Sequence, residues 1–215
     1  MHAVEYDFGR LSADERYKLL VSFVGPRPIA LVTTLGPEGI KNAAPMSFFN
    51  VFAQTPPLLI LGLQDRPSGA HEDTTRNILE TREFVVNLVD ETIARQMVVC
   101  AIEFPPEVDE VRTAGLTWRE SAAVRPGRIG EAPAAFECRL ERAIEYPSRW
   151  IVFGEVAYMH VRDACIDPET MRVRPENYCP IARLHGDNYV LARNQYVLRK
   201  MSYEEWCRRE AASGS

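Results

Sequence analysis

Runs and alternations of apolar residues divide most of the chain into short strands. The clearest is Ala135–Tyr146: Phe136, Cys138, Leu140, Ile144 and Tyr146 point one way, and Glu137, Arg139, Glu141 and Glu145 the other. The following run, Trp150–Val161, is apolar at both parities around Gly154, the pattern of a strand covered on both faces. Further strands are predicted at 28–35, 40–46, 57–64 and 84–89. The first two are joined through Gly36-Pro37-Glu38-Gly39, whose flanking glycines let the chain reverse. Three helices are predicted. One spans 11–24 with Ser12 as N-cap, and one spans 74–82 after Asp73, whose carboxylate can cap free amides. The third spans 91–103, where Ile93, Met97, Val98 and Ala101 form one apolar face. Residues Tyr203 to Ser215 are polar and end in small side chains, as in a frayed or exposed helix. Mostly antiparallel strands with tight turns and few helices predict a mainly β fold, a closed or nearly closed barrel. With no repeat or linker visible, residues 1–200 are expected to form a single domain and 201–215 a C-terminal tail.

Composition narrows the function classes. At 215 residues, 46% apolar and 26% charged, the chain is long enough to bury a substantial core and too apolar for disorder. A net charge of −5 supplies no basic excess for nucleic acid. No apolar run approaches membrane-spanning length, the longest being Leu58–Leu63, and Met1–Asp7 lacks the form of a signal peptide, so a cytoplasmic location and no membrane contact are expected. The five cysteines are scattered without a C-x-x-C pair and read as free thiols acting as small apolar residues. The four histidines lack metal-ligand spacing, so no protein-bound metal is expected.

The candidate chemistry lies at the far end of the first hairpin. Ser47, Phe48, Phe49 and Asn50 set hydrogen-bonding groups beside flat apolar surfaces, which suits a planar ring with polar edges. Asp73-Thr74-Thr75-Arg76-Asn77 opens a helix, and free amides at the positive end of a helix dipole suit an anion. No Gly-x-Ser-x-Gly or His-Glu-x-x-His motif supports a hydrolase. Gly127-Arg128-Ile129-Gly130 lacks the spacing of a dinucleotide fingerprint.

Several blocks occur in a familiar order. Arg27-Pro28-Ile29-Ala30-Leu31-Val32-Thr33-Thr34 precedes Asn42-Ala43-Ala44-Pro45-Met46-Ser47-Phe48-Phe49-Asn50. Asp73-Thr74-Thr75-Arg76-Asn77-Ile78 precedes Glu83-Phe84-Val85-Val86-Asn87-Leu88. Then come Pro105-Pro106-Glu107-Val108-Asp109-Glu110 with Ala114-Gly115-Leu116, and Pro180-Ile181-Ala182-Arg183-Leu184 with Gly186 and Tyr189. Together they resemble the flavin reductase-like, FMN-binding split-barrel family over about residues 25 to 195.

The resemblance implies an antiparallel split β-barrel that binds FMN and forms a homodimer with the cofactor near the subunit boundary; FMN is expected over FAD because the phosphate segment reads as the ligand's terminus, with no groove for adenine. NAD(P)H would be a transient reductant. Thr33, Thr34, Ser47, Phe48, Phe49 and Asn50 would serve the ring, with core packing the alternative for the two phenylalanines. Asp73, Thr74, Arg76 and Asn77 would hold the phosphate, with Arg27 a further cation. The family's usual Lys before the Asp-Thr pair is Glu72 here; either Glu72 points away or another cation, His71 or Arg66, replaces the lysine. His185 is the catalytic candidate, the counterpart of a histidine beside the nicotinamide, unless it is simply exposed. Arg183 and Tyr189 are substrate-side candidates. Three functional readings follow: an NAD(P)H-dependent flavin reductase supplying a partner monooxygenase, a flavoenzyme with tightly bound FMN acting on its own small-molecule substrate, or an electron carrier resembling flavoredoxin.

Overall fold

The computed structural model describes residues 3–36, 39–66 and 68–213. The Pro37–Glu38 tip of the expected turn, the two N-terminal residues and Gly214–Ser215 lie outside them. In chain order the first elements are α1 (Ala13–Phe23), β1 (Arg27–Pro28), β2 (Ala30–Leu35), β3 (Lys41–Met46), β4 (Phe49–Gln54), β5 (Pro57–Gln64), α2 (Asp73–Thr81) and β6 (Glu83–Leu88). There follow α3 (Ala94–Val99), α4 (Glu110–Thr113), β7 (Trp118–Arg119), β8 (Arg128–Ile129), β9 (Ala134–Tyr146) and β10 (Arg149–Val161). The chain ends with β11 (Ile166–Asp167), β12 (Arg172–Val173), β13 (Ile181–Arg183), β14 (Tyr189–Leu191) and α5 (Tyr203–Ser213).

One antiparallel sheet of seven strands, in the order β3-β2-β6-β9-β10-β5-β4, carries the fold. Its two edge strands, β3 and β4, are joined in sequence by Ser47 and Phe48 alone. The sheet therefore curls until its edges meet at that corner. There the Gly62 N–H donates to the Phe48 carbonyl at 2.6 Å, and a Cβ at Gly62 would lie 2.9 Å from the Phe48 Cβ.

Curling gives each strand an inner and an outer face. Ala30, Val32, Leu59, Leu61, Leu63, Phe84, Val86, Cys138 and Val152 pack inside with Ile78 of α2. Leu31 packs outward with Ile93, Met97, Val111, Leu116 and Ile129 beneath α3, α4 and β8. Both faces of β2 are thus buried, which explains its unbroken apolar run. Polar stitches fasten the outer layer. Asn87 donates to the Leu31 carbonyl (2.9 Å) and to Thr33 Oγ1 (3.1 Å) and accepts from the Ile129 N–H (2.8 Å), while Thr33 Oγ1 donates to the Gly127 carbonyl (2.6 Å).

Several expectations need correcting. The strand expected at 28–35 breaks at Ile29, so that Arg27–Pro28 can pair with Ala182–Arg183 instead. The helix expected at 91–103 is only Ala94–Val99, because Asp90 Oδ1 takes the Thr92 N–H in a turn that competes with helix entry. Asp73 is the first residue of α2 rather than its cap; Glu72 holds that position without a side-chain cap bond. Glu137, grouped by alternation with Arg139 and Glu141, is buried. It accepts the Ala122 N–H (2.7 Å) and the Ala123 N–H (2.5 Å), and His160 Nε2 lies 2.6 Å away. Ile144 and Tyr146 are exposed because β6 stops pairing with β9 at Arg139. In β10 only Val152 and Gly154 are buried, while Tyr158 and Met159 are about half exposed. The residues Phe49–Gln54, which fall between the strands predicted at 40–46 and 57–64, form β4.

Candidate functional site

The edge strand β3 borders two abutting hollows. One, of about 460 Å³, lies among Gly36, Asn42, Asp73, Arg76, Asn77 and the Pro105–Val108 loop. The other, of about 230 Å³, lies among Ala44, Pro45, Met46, Gln64, Arg66 and Thr74. Asn42, Asp73 and Glu110 line both. The trough thus runs from the turn before β3, past the start of α2, to the β3–β4 corner. A third hollow, about 360 Å³, lies beyond that corner. Ser47, Phe48, Phe49 and Asn50 border it with Arg27 and the α1 residues Leu20 and Val21.

Alternation along β2 sends Thr33 and Thr34 to opposite sides, so the two cannot line one ring. Thr33 belongs to the outer stitches described above. Thr34 Oγ1 accepts from Asn77 Nδ2 at 2.9 Å and stands one side chain behind the trough. Asn77 and Thr74 are buried on the inner side of α2, and Asn42 Nδ2 donates to Thr74 Oγ1 at 2.9 Å.

Among the described residues no side chain caps the first turn of α2. Its charges are arranged around Asp73: Arg66 Nη2 lies 3.0 Å from Oδ2, and Arg76 Nη2 lies 2.6 Å from Oδ1. Arg66 also reaches Glu72, with Nε 3.5 Å from Oε2. Of the two candidates to replace the family's lysine, Arg66 is therefore at the helix start. His71 turns away to Asp65 (2.8 Å) and Trp150. Arg76 Nε is buried without a hydrogen-bond partner.

Glu110 stood in the sequence only within a family block, and no role was given to it. It opens α4 and lines both halves of the trough, and its Oε2 accepts the Ala43 N–H from β3 at 2.6 Å. Burial, followed by the negative charges of Asp73, Asp109 and Glu72, outweighs that hydrogen bond and pushes its carboxyl up to about 7. The Pro105–Asp109 block was the signal that could have drawn attention to it.

Arg27 is not at the helix start. Its Nη1 donates to the Val21 (2.8 Å) and Val24 (2.7 Å) carbonyls, and its Nη2 to the Leu184 carbonyl (2.7 Å). It thereby ties the C-terminal end of α1 to the 183–189 block beside the third hollow. In that block Arg183 lies over the Tyr189 ring, 4.8 Å from its centroid, and bonds the Tyr189 hydroxyl and the Gly186 carbonyl. The His185 side chain is exposed.

The flavin reductase-like domain family matches residues 25–182. The chain belongs to that family. The 2-nitrobenzoate 2-nitroreductase NbaA of Pseudomonas fluorescens is 38% identical, with 93% of this chain and 98% of that one aligned at a TM-score of 0.85. Component B of nitrilotriacetate monooxygenase from Bacillus cereus is 34% identical, with 92% and 100% aligned at 0.88. A Shewanella frigidimarina protein described as having a split barrel domain shares the fold at 18% identity, with 94% and 100% aligned at 0.79. The curled antiparallel sheet is thus the flavin reductase split barrel, and the family ties the chain to flavin-related redox chemistry. Among the described residues no helix is long and apolar enough to cross a membrane.

Proposed function

We infer that the protein is an FMN-dependent oxidoreductase that takes electrons from NAD(P)H and supplies reduced flavin to a partner monooxygenase. In this reading residues 1–200 are one flavin reductase-like domain with 201–215 as a tail, and the protein acts in the cytoplasm as a homodimer. The observation that carries the reading is the trough from the uncapped start of α2 along β3 to Met46 together with the separate Ser47–Asn50 groove that follows it beyond the β3–β4 corner. Together they have the elements FMN needs: an anion end, a narrow middle and an aromatic end. The buried, unpartnered Nε of Arg76 and the free amides of α2 fit a phosphate. Ala44, Pro45 and Met46 fit the ribityl chain and ring edge.

With its phosphate held at Arg76 and the α2 amides and its ring beside Ser47–Asn50, FMN would supply the hydride and electron-transfer chemistry that side chains lack. The protein's part is position and charge. Among the described residues the Ser47 hydroxyl makes no hydrogen bond. The Asn50 Oδ1 accepts the Val51 N–H (2.8 Å), leaving the amide N–H groups free to donate to a ring carbonyl as negative charge develops. Arg27 holds the 183–189 block beside this groove, which favours His185, Arg183 and Tyr189 as the side from which a nicotinamide or acceptor approaches. The naming of the Bacillus cereus relative as a monooxygenase component supports the partner. The exposed apolar side chains Val51 and Phe52 on β4 and Tyr158 and Met159 on β10 support a dimer. A second reading, a flavoenzyme reducing its own organic substrate, is favoured by the 38% identity to a nitroreductase.

Equilibrium dialysis tests the cofactor. The protein should retain FMN with a shifted visible spectrum. A preparation that neither holds nor takes up FMN would end this reading.

A further inference from the structure

Five carboxylates line the two halves of the trough: Glu72 and Asp73 at the start of α2, Glu103 and Glu107 in the loop before α4, and Glu110 on α4 itself. Only Arg66, beyond the end of β5, and Arg76 of α2 oppose them, and both are already engaged by Asp73. The other charged or titratable groups nearby are engaged elsewhere. Asp109 caps α4 through the Arg112 N–H (2.9 Å), and Lys41 of β3 stands over the Trp118 ring, 5.4 Å from its centroid. The buried Cys100 thiol at the end of α3 is pushed up to about 12, first by burial and then by Glu110, and so stays neutral. A phosphate dianion at the uncapped start of α2 therefore meets an excess of negative charge. One group is placed to relieve it. Glu110 lies at the junction of both hollows, anchored through Oε2 to the β3 edge, and its Oε1 has no hydrogen-bond partner among the described residues.

We propose that Glu110 is a positioning residue for the flavin phosphate: its carboxyl takes up a proton when the phosphate binds, removing one negative charge from the trough while keeping β3 in place through Ala43. The inference rests on the phosphate placement in the preceding section and adds that recognition is proton-linked. The sign follows from the site. In the free protein the carboxyl titrates near 7, and an incoming phosphate raises it further. Between those two values binding takes up a proton, so FMN affinity falls as pH rises above 7, by up to about tenfold per unit. Below 7 Glu110 is already protonated and contributes no slope. Phosphate loses its own second charge only near pH ~6. Riboflavin, which carries no phosphate, should show no such linkage.

The test titrates flavin-free, full-length protein with FMN and with riboflavin from pH 6.5 to 8.5, following quenching of flavin fluorescence. FMN calorimetry at pH 8 in two buffers of different ionisation enthalpy counts the protons. Wild type should bind FMN about tenfold or more weakly at pH 8.5 than at 6.5 and take up close to one proton at pH 8. Riboflavin affinity should stay flat. Glu110→Gln keeps an acceptor for the Ala43 N–H and should bind FMN with a flat profile. FMN affinity in wild type that follows riboflavin's across pH, proton uptake near zero at pH 8, or a Glu110→Gln variant with the wild-type slope would each overturn the proposal. The wild-type calorimetry decides even if the variant fails to fold. Absence of FMN binding at every pH would instead refute the cofactor reading itself.

Discussion

Replacing Arg27 by methionine keeps the apolar stem and removes the guanidinium, and it separates two roles for this residue. The sequence admits a phosphate cation; the structure shows a clamp. The side chain is 8% exposed and donates to three carbonyls at 2.7–2.8 Å, two at the end of α1 and one at Leu184. Hydrogen bonds from a charged donor contribute about 1.5–3 kcal/mol each, but removing a buried guanidinium also relieves its desolvation. The carbonyl of exposed Val24 can return to water, whereas that of Val21 remains buried. The net loss should be about 2–4 kcal/mol, lowering Tm by roughly 5–15 °C for a chain of this size. Urea unfolding measures the stability, and the ratio of FMN to riboflavin affinity measures any phosphate contact. A variant of unchanged stability, or one losing about tenfold of its preference for FMN, a difference of about 1.4 kcal/mol, would refute the clamp.

A Cβ at Gly154 would run into the ring of buried Phe84 and lie 3.2 Å from the Cys138 Cβ, so Gly154→Ala should cost about 1–3 kcal/mol in thermal or urea unfolding. Glu137 is pushed up by burial, but the bonds from the Ala122 amide, His160 and the Ala123 amide outweigh this and hold its carboxyl below the ordinary 4.5. Its stabilisation is therefore present above about pH 4.5 and lost as pH falls further, and in acid titration Glu137→Gln should lack that part of the wild-type decline. Phe52, 60% exposed on β4 and edge-on to Phe153 at 5.2 Å, is one of the exposed apolar side chains proposed to meet a second copy. Phe52→Glu should sediment as a monomer where wild type sediments as a dimer, and a wild-type monomer would remove that assignment.

Local signals made part of the fold readable. Ser12 caps α1 as expected, and Glu15 completes a capping box, with the Glu15 N–H donating to Ser12 Oγ at 3.2 Å and the Ser12 N–H to Glu15 Oε2 at 2.8 Å. Pro57–Gln64 is a strand over the predicted span, because its apolar run is bounded by Pro56-Pro57 and a polar exit. What failed depended on partners distant in sequence. Glu137 looks solvent-facing in a two-residue alternation until residues 122 and 123 close over it. Val51 and Phe52, exposed in the single chain, gave β4 no core-facing pattern to read. The site divides in the same way. Asp73–Asn77 was legible as a helix start and Ser47–Asn50 as an aromatic corner, and each borders a hollow. The joining of the two hollows beside β3 through Asn42 and Glu110 required α4 to dock on β3, and the clamp made by Arg27 required a carbonyl 157 residues away.

The central claim, that nicotinamide reduces flavin held by this protein, is tested most directly by anaerobic stopped-flow mixing of the FMN-loaded protein with NADH and, separately, NADPH while flavin absorbance is followed. Bleaching by at least one nucleotide, as fast as or faster than steady-state turnover, is the predicted result. Bound flavin that neither nucleotide reduces but dithionite does would contradict it.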